Sequence, residues 1–159
     1  MNGRVVLYLI GKILYFLGAV FAVPMLLGVG YQDDGGKIFA ACMTASFAIG
    51  ILFQKLGTKV TEQYNLTNRE GILTVVCAWI TAVSFASVPF LAASMLGPVD
   101  AFFEAMSGLT TTGATVLTDI EIWPRSLLFW RVWMHWIGGL GIIVIFIAAQ
   151  NQWGSGPSF

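Results

Sequence analysis

The sequence predicts an all-α membrane protein in which two amino-terminal transmembrane helices are followed by one helix–re-entrant loop–helix unit. Its composition is apolar: 57% of the 159 residues are hydrophobic and only 10% are charged, whereas soluble domains carry about 25% charged residues. Four apolar runs alternate with polar segments, and an uncharged threonine-rich stretch lies between the last two. Together these three observations predict a chain that crosses a lipid bilayer several times.

The first two apolar runs predict a pair of transmembrane helices within residues 1–54. Val5–Gly30 is interrupted only by Lys12, and it exceeds the roughly 20 helical residues that cross a bilayer. A secretory signal peptide is the alternative, but its apolar core would hold only about 7–15 residues. Tyr31–Lys37 is a turn rich in Asp and Gly, and Ile38–Phe53 is a second helix that can extend by a turn at either end.

The polar segment 55–70 leads into the third helix. Its last residues, TNRE at Thr67–Glu70, match a capping box, in which a Thr hydroxyl and a Glu carboxylate satisfy free amides at a helix start. The third apolar run, Gly71–Met95, follows directly. We therefore assign residues 71–149 to the helix–loop–helix unit.

Lysine and arginine predict the orientation in the membrane. Segment 55–70 contains Lys55, Lys59 and Arg69, whereas the turn 31–37 contains a single lysine. Because basic loops remain in the cytoplasm, segment 55–70 is expected there, together with the amino terminus.

The segment between the third and fourth runs is too short to cross the membrane. Val99–Leu109 has a helical pattern with Asp100 as the expected N-cap. About ten helical residues rise only ~15 Å, which is half of the hydrocarbon thickness. After an irregular polar stretch, the fourth run, Trp123–Ala149, begins with Pro124 at the expected first helical position.

The stretch SGLTTTGAT, Ser107–Thr115, predicts a re-entrant pore loop. Irregular backbone is tolerated at membrane depth only where it is buried in protein or lines a water-filled cavity. The carboxyl end of the short helix favours a cation, and Gly113 allows successive carbonyl groups to turn towards one axis. Such neutral oxygens replace the water shell of a monovalent cation in potassium channels. The alternative is a simple turn that joins two helices.

Two features of the fourth run bear on this loop. The stretch HWIGGLGI, His135–Ile142, contains glycines that permit a bend or close packing against another helix. Arg131 is an ionisable residue within a span, which is a functional hypothesis by default. It either pairs with Glu104 on the short helix and stabilises the loop, or extends towards the outer surface.

Nothing in the sequence is typical of an enzyme or of a nucleic-acid-binding protein. We find no Ser/His/Asp set and no phosphate-binding glycine loop, and His135 is the only histidine. Cys42 and Cys77 lie in apolar runs, which favours packing over a disulfide or a metal site. Eight basic and eight acidic residues cancel, so no basic excess indicates a nucleic-acid partner. No cofactor is predicted.

Four stretches resemble one known family. DAFFEAMSGLTTTGATVLTDIE, followed by LLFWRVWMHWIGGLGIIVI, resembles the first repeat of the TrkH-type potassium uptake proteins of the Trk/Ktr/HKT cation transporter superfamily. YQDDGGKIFAACMTASFAIG and LTNREGILTVV resemble the amino-terminal region of the same family. The resemblance covers roughly Val5–Ala149.

The resemblance implies a fold of four helix–pore loop–helix units around one pore, preceded by two extra helices. Here the extra helices would be the first two runs, the pore helix would be 99–109, and the selectivity filter would be residues 110–115, called the filter loop below. Potassium would bind the backbone carbonyl groups of Thr111, Thr112 and Gly113. The residues that support the filter loop would be Ala114, Thr115, Glu104, Arg131, Gly138 and Gly139.

The resemblance also implies partners and a location. The protein would transport potassium across the bacterial inner membrane, beside a TrkA-like cytoplasmic nucleotide-binding regulatory subunit. Family members are several times longer and carry three further units, so closing the pore would require further repeats or copies of this chain. The alternative is a non-conducting truncated fragment or a structural membrane subunit without activity of its own, with the polar tail 150–159 at the point of truncation.

Overall fold

The computed structural model describes residues 3–57 and 67–153, and these residues form five α-helices without a strand. The all-helical fold class is thus confirmed. In chain order the helices are α1 Gly3–Tyr31, α2 Gly35–Leu56, α3 Asn68–Ala92, α4 Pro98–Leu109 and α5 Arg125–Trp153.

Three of the described helices, α1, α2 and α3, are long and apolar enough to cross a membrane. Helix α4 has only 12 residues, a rise of about 18 Å, which falls short of the roughly 30 Å hydrocarbon layer. Helix α5 has 29 residues, which is long enough for a tilted span. The order is therefore two transmembrane helices, then helix, short helix with its loop, and helix.

The amino-terminal pair α1 and α2 forms a tight antiparallel hairpin. Cys42, Ser46 and Gly50 are all buried on one face of α2, at the four-residue spacing that lets membrane helices approach closely. At the turn, the Asp33 amide donates to the Gly28 carbonyl at 3.0 Å, and Gln32 has a positive φ of 56°. The turn thus redirects the chain within three residues.

An aromatic cluster joins this hairpin to the helix–loop–helix unit. The ring of Trp130 on α5 lies 4.8 Å from Phe21 of α1 and 5.7 Å from Phe39 of α2, measured between centroids. The Trp130 Nε1 group donates to the Ala86 carbonyl of α3 at 3.0 Å. All three rings are fully buried, and aromatic pairs of this kind contribute about 0.5–1.5 kcal/mol each beyond their buried area. Trp130 therefore connects four of the five helices.

Of the caps predicted for α3 and α4, the first is confirmed and the second is wrong. The capping box at α3 is present: Glu70 N donates to Thr67 Oγ1 at 3.4 Å, and Thr67 N donates to Glu70 Oε2 at 3.1 Å. Asp100 is not the N-cap of α4, because Pro98 occupies the first turn and the cap is Gly97. Proline suits that position since its missing amide would have no partner there.

Helix α5 is displaced by a few residues from its predicted bounds. It begins at Arg125, directly after Pro124, whose carbonyl accepts the Leu128 amide at 3.1 Å. It continues to Trp153, four residues into the segment predicted as a polar tail. Residues 154–159, and most of the segment 55–70 assigned to the cytoplasm, lie outside the described residues.

Candidate functional site

Helix α4 ends in a tight turn that leads directly into the filter loop. The Thr111 amide donates to the Gly108 carbonyl at 3.1 Å, and the Thr112 amide donates to the Ser107 carbonyl at 3.0 Å. This pair of bonds defines a Schellman motif, in which the residue just past the helix end has a left-handed backbone. Here that residue is Thr111, with a φ of 58°. Glycine usually occupies this position because a β-branched side chain is strained there.

These bonds use three of the last four carbonyl groups of α4, at the helix end where the sequence predicts a favourable position for a cation. The carbonyl groups of Met106, Ser107 and Gly108 accept the amides of residues 110–112. They are therefore occupied by the loop that follows. Within the described residues, the carbonyl oxygens that accept no hydrogen bond begin at Leu109, the last residue of α4, and continue into the filter loop.

The three carbonyl groups to which the resemblance assigns the ion are not used by the fold. Within the described residues, no hydrogen bond uses the carbonyl oxygens of Thr111, Thr112 or Gly113, and all three residues are exposed. Gly113 has a φ of 80°, a conformation that side chains disfavour. The next carbonyl, of Ala114, is engaged differently, because it accepts the Ser107 hydroxyl at 2.6 Å.

A buried carboxylate fixes the far end of the filter loop. Glu104 on α4 is only 1% exposed. Its two oxygens accept the Thr115 hydroxyl at 3.0 and 3.1 Å, and one of them accepts the Val116 amide at 3.1 Å. The Nε group of Arg131 on α5 donates to the same carboxylate. A buried charge is tolerated only when it is paired and hydrogen-bonded in this way.

The pairing of Arg131 with Glu104 is one of the two arrangements that the sequence left open. The Arg131 side chain retains 24% exposure, whereas the Glu104 carboxylate side chain has none. The Arg131 side chain is thus partly exposed, and the Glu104 carboxylate beside it is fully buried.

Helix α5 approaches the loop through its glycines. A Cβ atom at Gly138 would overlap the Leu109 carbonyl, the last residue of α4. A Cβ at Gly139 would lie 3.9 Å from Thr111 Cγ2, which is ordinary contact. His135 lies near the same loop, 3.9 Å from a Cβ built at Gly113, and its Nδ1 is 2.9 Å from the Arg131 carbonyl. Close packing therefore requires glycine at 138 and not at 139.

The chemistry available at this loop is that of neutral oxygen ligands. Carbonyl oxygens without fixed charge suit monovalent cations that shed their water. A single strand of three carbonyls offers ligands from one direction.

Comparison with known proteins identifies the family. The sequence model of the TrkH family, described as cation transport protein, matches residues 39–158. This chain belongs to the TrkH family. The match includes most of α2, the helices α3 to α5 and the whole filter loop, so the resemblance is confirmed over most of the chain.

Curated TrkH-family relatives agree with this assignment. The Trk system potassium uptake protein TrkH of Escherichia coli (strain K12) is 35% identical over 150 residues, which cover 93% of this chain and 31% of the relative. The Trk system potassium uptake protein TrkG of the same strain is 32% identical over 155 residues, covering 96% and 32%. The chain thus spans about a third of the length of these relatives.

A solved TrkH-family structure shares the fold. The crystal structure of the potassium transporter TrkH from Vibrio parahaemolyticus superposes with a TM-score of 0.86 at 33% identity, covering 94% of this chain and 32% of that chain. The multi-pass membrane architecture is therefore that of the TrkH family.

Two features of the site, one backbone conformation and one hydrogen bond, were not predicted from the sequence. The left-handed conformation of Thr111 had no local signal, since glycine is the usual residue there. The bond from Ser107 to the Ala114 carbonyl joins residues seven positions apart across an irregular loop. Serine near a helix end is common, so only the folded loop reveals its partner.

Proposed function

We propose that the chain forms part of a Trk-type potassium pore, in which the carbonyl oxygens of Thr111, Thr112 and Gly113 coordinate the ion. The observation that carries the proposal is that these three carbonyls are exposed and form no hydrogen bond within the described residues. The names of the relatives, potassium uptake proteins, support potassium as the ion. The family is one of cation transporters, and we propose no enzymatic activity and no cofactor.

The proposed mechanism is replacement of the water shell. A potassium ion entering the loop exchanges water for main-chain oxygens, which bind without the strong hold of a carboxylate. The ion can therefore also leave, and it moves down its electrochemical gradient. The loop stays open because its two ends are fixed, at the end of α4 and at Glu104.

Fixation by Glu104 is the proposed role of the buried ion pair. The carboxylate holds Thr115 and Val116, immediately after the proposed ligands. Arg131 neutralises the charge and joins α5 to the same point. Preorganised oxygens need no rearrangement when an ion arrives, which lowers the cost of binding. Ala114, held by Ser107, and Gly138, packed on Leu109, complete the proposed support.

Closure of the pore requires oxygens from other directions. Because the relatives are about three times as long, we propose that further repeats supply these strands, with assembly of several copies as the alternative. The proposed location is a bacterial inner membrane with the amino terminus in the cytoplasm, as the positions of Lys55 and Arg69 predict. A TrkA-like cytoplasmic regulatory subunit is the proposed partner.

Rubidium uptake tests the proposal. The protein, in the longest form that its gene encodes, is expressed in cells that lack potassium uptake. We expect uptake above the level of the empty vector. We expect this uptake to be lost in Gly113→Arg, because the arginine places a positive charge among the proposed ligands. The matched control is Gly30→Arg, since nothing lies within 4 Å of a Cβ built at Gly30. Membrane-inserted protein without rubidium uptake would instead support a non-conducting membrane subunit.

A further inference from the structure

The turn between α1 and α2 makes a long-range contact with the start of α5. The two carboxylate oxygens of Asp33 accept hydrogen bonds from different donors. Oδ2 accepts the backbone amide of Ser126 at 3.0 Å. Oδ1 accepts the Ser126 hydroxyl at 2.8 Å and the Gly35 amide at 3.0 Å. The two residues are 93 positions apart in the chain, and Ser126 is fully buried.

This contact is a helix cap supplied from another element. The first amides of any helix have no partner within that helix. Ser126 is the second residue of α5, and Asp33 satisfies its amide. A carboxylate at this end also interacts favourably with the positive end of the helix dipole. Asp33 therefore does for α5 what an N-cap side chain does locally.

Residues near Asp33 and Ser126 also contact each other across this turn. A Cβ atom at Gly35 would overlap the Ser126 hydroxyl, so glycine is required there. The Arg125 guanidinium lies 5.1 Å from the centre of the Tyr31 ring. The end of α1 and the turn after it thus contact the first two residues of α5.

The same helix contacts the filter loop further along. Arg131 is five positions after Ser126, about 7.5 Å along the axis. It donates to Glu104, which holds Thr115 and Val116. A helix changes little in length, because each residue is fixed by hydrogen bonds to the next turn. The position of its first turn therefore sets the position of Arg131 relative to the loop.

We propose that Asp33 is a positioning residue for the filter loop. By capping α5 from the amino-terminal hairpin, it fixes how far α5 extends along its axis and how it is rotated, and so places Arg131 opposite Glu104. The importance of this role for transport rests on the proposed function. The role itself concerns the order of the loop and can be measured without transport.

Hydrogen–deuterium exchange in lipid nanodiscs tests the positioning directly. The protein is used in the longest form that its gene encodes. In Asp33→Ala we expect exchange to become about fivefold faster in residues 126–131, as for loss of a helix cap, and also faster in residues 110–117. The matched control is Asp34→Ala, because the Asp34 side chain is 86% exposed and, among the described residues, forms an ion pair only with the exposed Lys37. It should leave both segments unchanged.

Conservative variants keep the test decisive if Asp33→Ala does not fold. Asp33→Asn retains one acceptor oxygen and should give a smaller increase in exchange at both segments. Ser126→Ala removes the hydroxyl bond and leaves the amide bond, so it should resemble Asp33→Asn. Faster exchange at 126–131 with an unchanged segment 110–117 would overturn the proposal, since the cap would then act only locally.

Rubidium uptake supplies a second measurement. Its half-maximal concentration would not change if Asp33 only stabilised the fold. In Asp33→Ala the rubidium concentration for half-maximal uptake should rise severalfold when rates are expressed per folded protein. If Asp33→Ala lowers only the amount of folded protein and leaves that concentration unchanged, the result counts against the proposal. If the unsubstituted protein takes up no rubidium, the proposed function fails, whereas the exchange result still decides the role of Asp33.

Discussion

Arg131 on α5 donates a hydrogen bond to the buried carboxylate of Glu104 on α4, and that carboxylate also binds the end of the filter loop. The two helices that flank the loop are thus joined through the same side chain that holds it. In a membrane, an unpaired charge at this depth would be costly. The pair therefore solves two problems: it neutralises a buried acid and fixes an irregular backbone.

Breaking the pair by Glu104→Ala should lower stability by about 3 kcal/mol, near the low end for a buried ion pair because Arg131 keeps partial exposure. The substitution removes the acceptor of Thr115, Val116 and Arg131 at once. The measurement is the midpoint of thermal unfolding in detergent. The double variant Glu104→Ala/Arg131→Met should recover part of the loss, since the unpaired cation is gone. Equal midpoints for the single variant and the unsubstituted protein would contradict this account.

The two left-handed residues of the filter loop should respond in opposite directions. Thr111→Gly should raise the free energy of unfolding by about 1 kcal/mol, because a β-branched residue is strained at a φ of 58°. Gly113→Ala should lower it by about 1 kcal/mol, because a Cβ is disfavoured at a φ of 80°. Both are read as shifts of the unfolding midpoint. Shifts of the same sign would show that the loop backbone differs from the one described.

Adjacent glycines on α5 form a matched pair. Gly138→Ala should cost about 1–3 kcal/mol, since the added methyl would overlap the Leu109 backbone and one of the helices must move. Gly139→Ala should be neutral or stabilising, because only Thr111 Cγ2 lies near, at 3.9 Å, and alanine favours helix over glycine. We expect rubidium uptake to fall only in the first variant. Equal effects would indicate that α5 does not pack on α4 at this point.

The hydroxyl of Ser107 provides a fourth prediction. Ser107→Ala removes the donor to the Ala114 carbonyl and should lower stability by about 1 kcal/mol. It should also reduce discrimination of rubidium against sodium, because the carbonyls before Ala114 lose a fixed neighbour. Ser84→Ala is the control, since its hydroxyl bonds within its own helix at 2.8 Å and is exposed. Unchanged selectivity in Ser107→Ala would argue against this role.

Much of the fold could be predicted because it depends on local patterns. The apolar runs predicted the long helices, and the Thr67–Glu70 capping box predicted the start of α3. The segment that ends at Leu109 is too short to cross a membrane, which predicted the re-entrant loop. The start of a helix is harder to predict where two neighbouring residues each favour a different first residue. Asp100 is a good cap residue, yet Pro98 stands two positions earlier and its fixed backbone angle begins the helix there.

The contacts at the site could be predicted only in part, because they depend on how helices rotate about their axes. The sequence named Glu104 as a possible partner of Arg131 but left pairing and extension to the surface equally open, because residue spacing does not give the direction of α5 relative to α4. The bond between Asp33 and Ser126 joins distant parts of the chain, and no local pattern reports it. Likewise Thr111 adopts a glycine-like conformation because its neighbours impose it.

The most direct test of the central claim is a structure of the protein in lipid with rubidium in place of potassium, located by its anomalous scattering. The account predicts a rubidium peak beside the carbonyl oxygens of Thr111, Thr112 and Gly113, which disappears in Gly113→Arg. A peak elsewhere along the path, with these three carbonyls turned away from it or hydrogen-bonded to protein, would contradict the account.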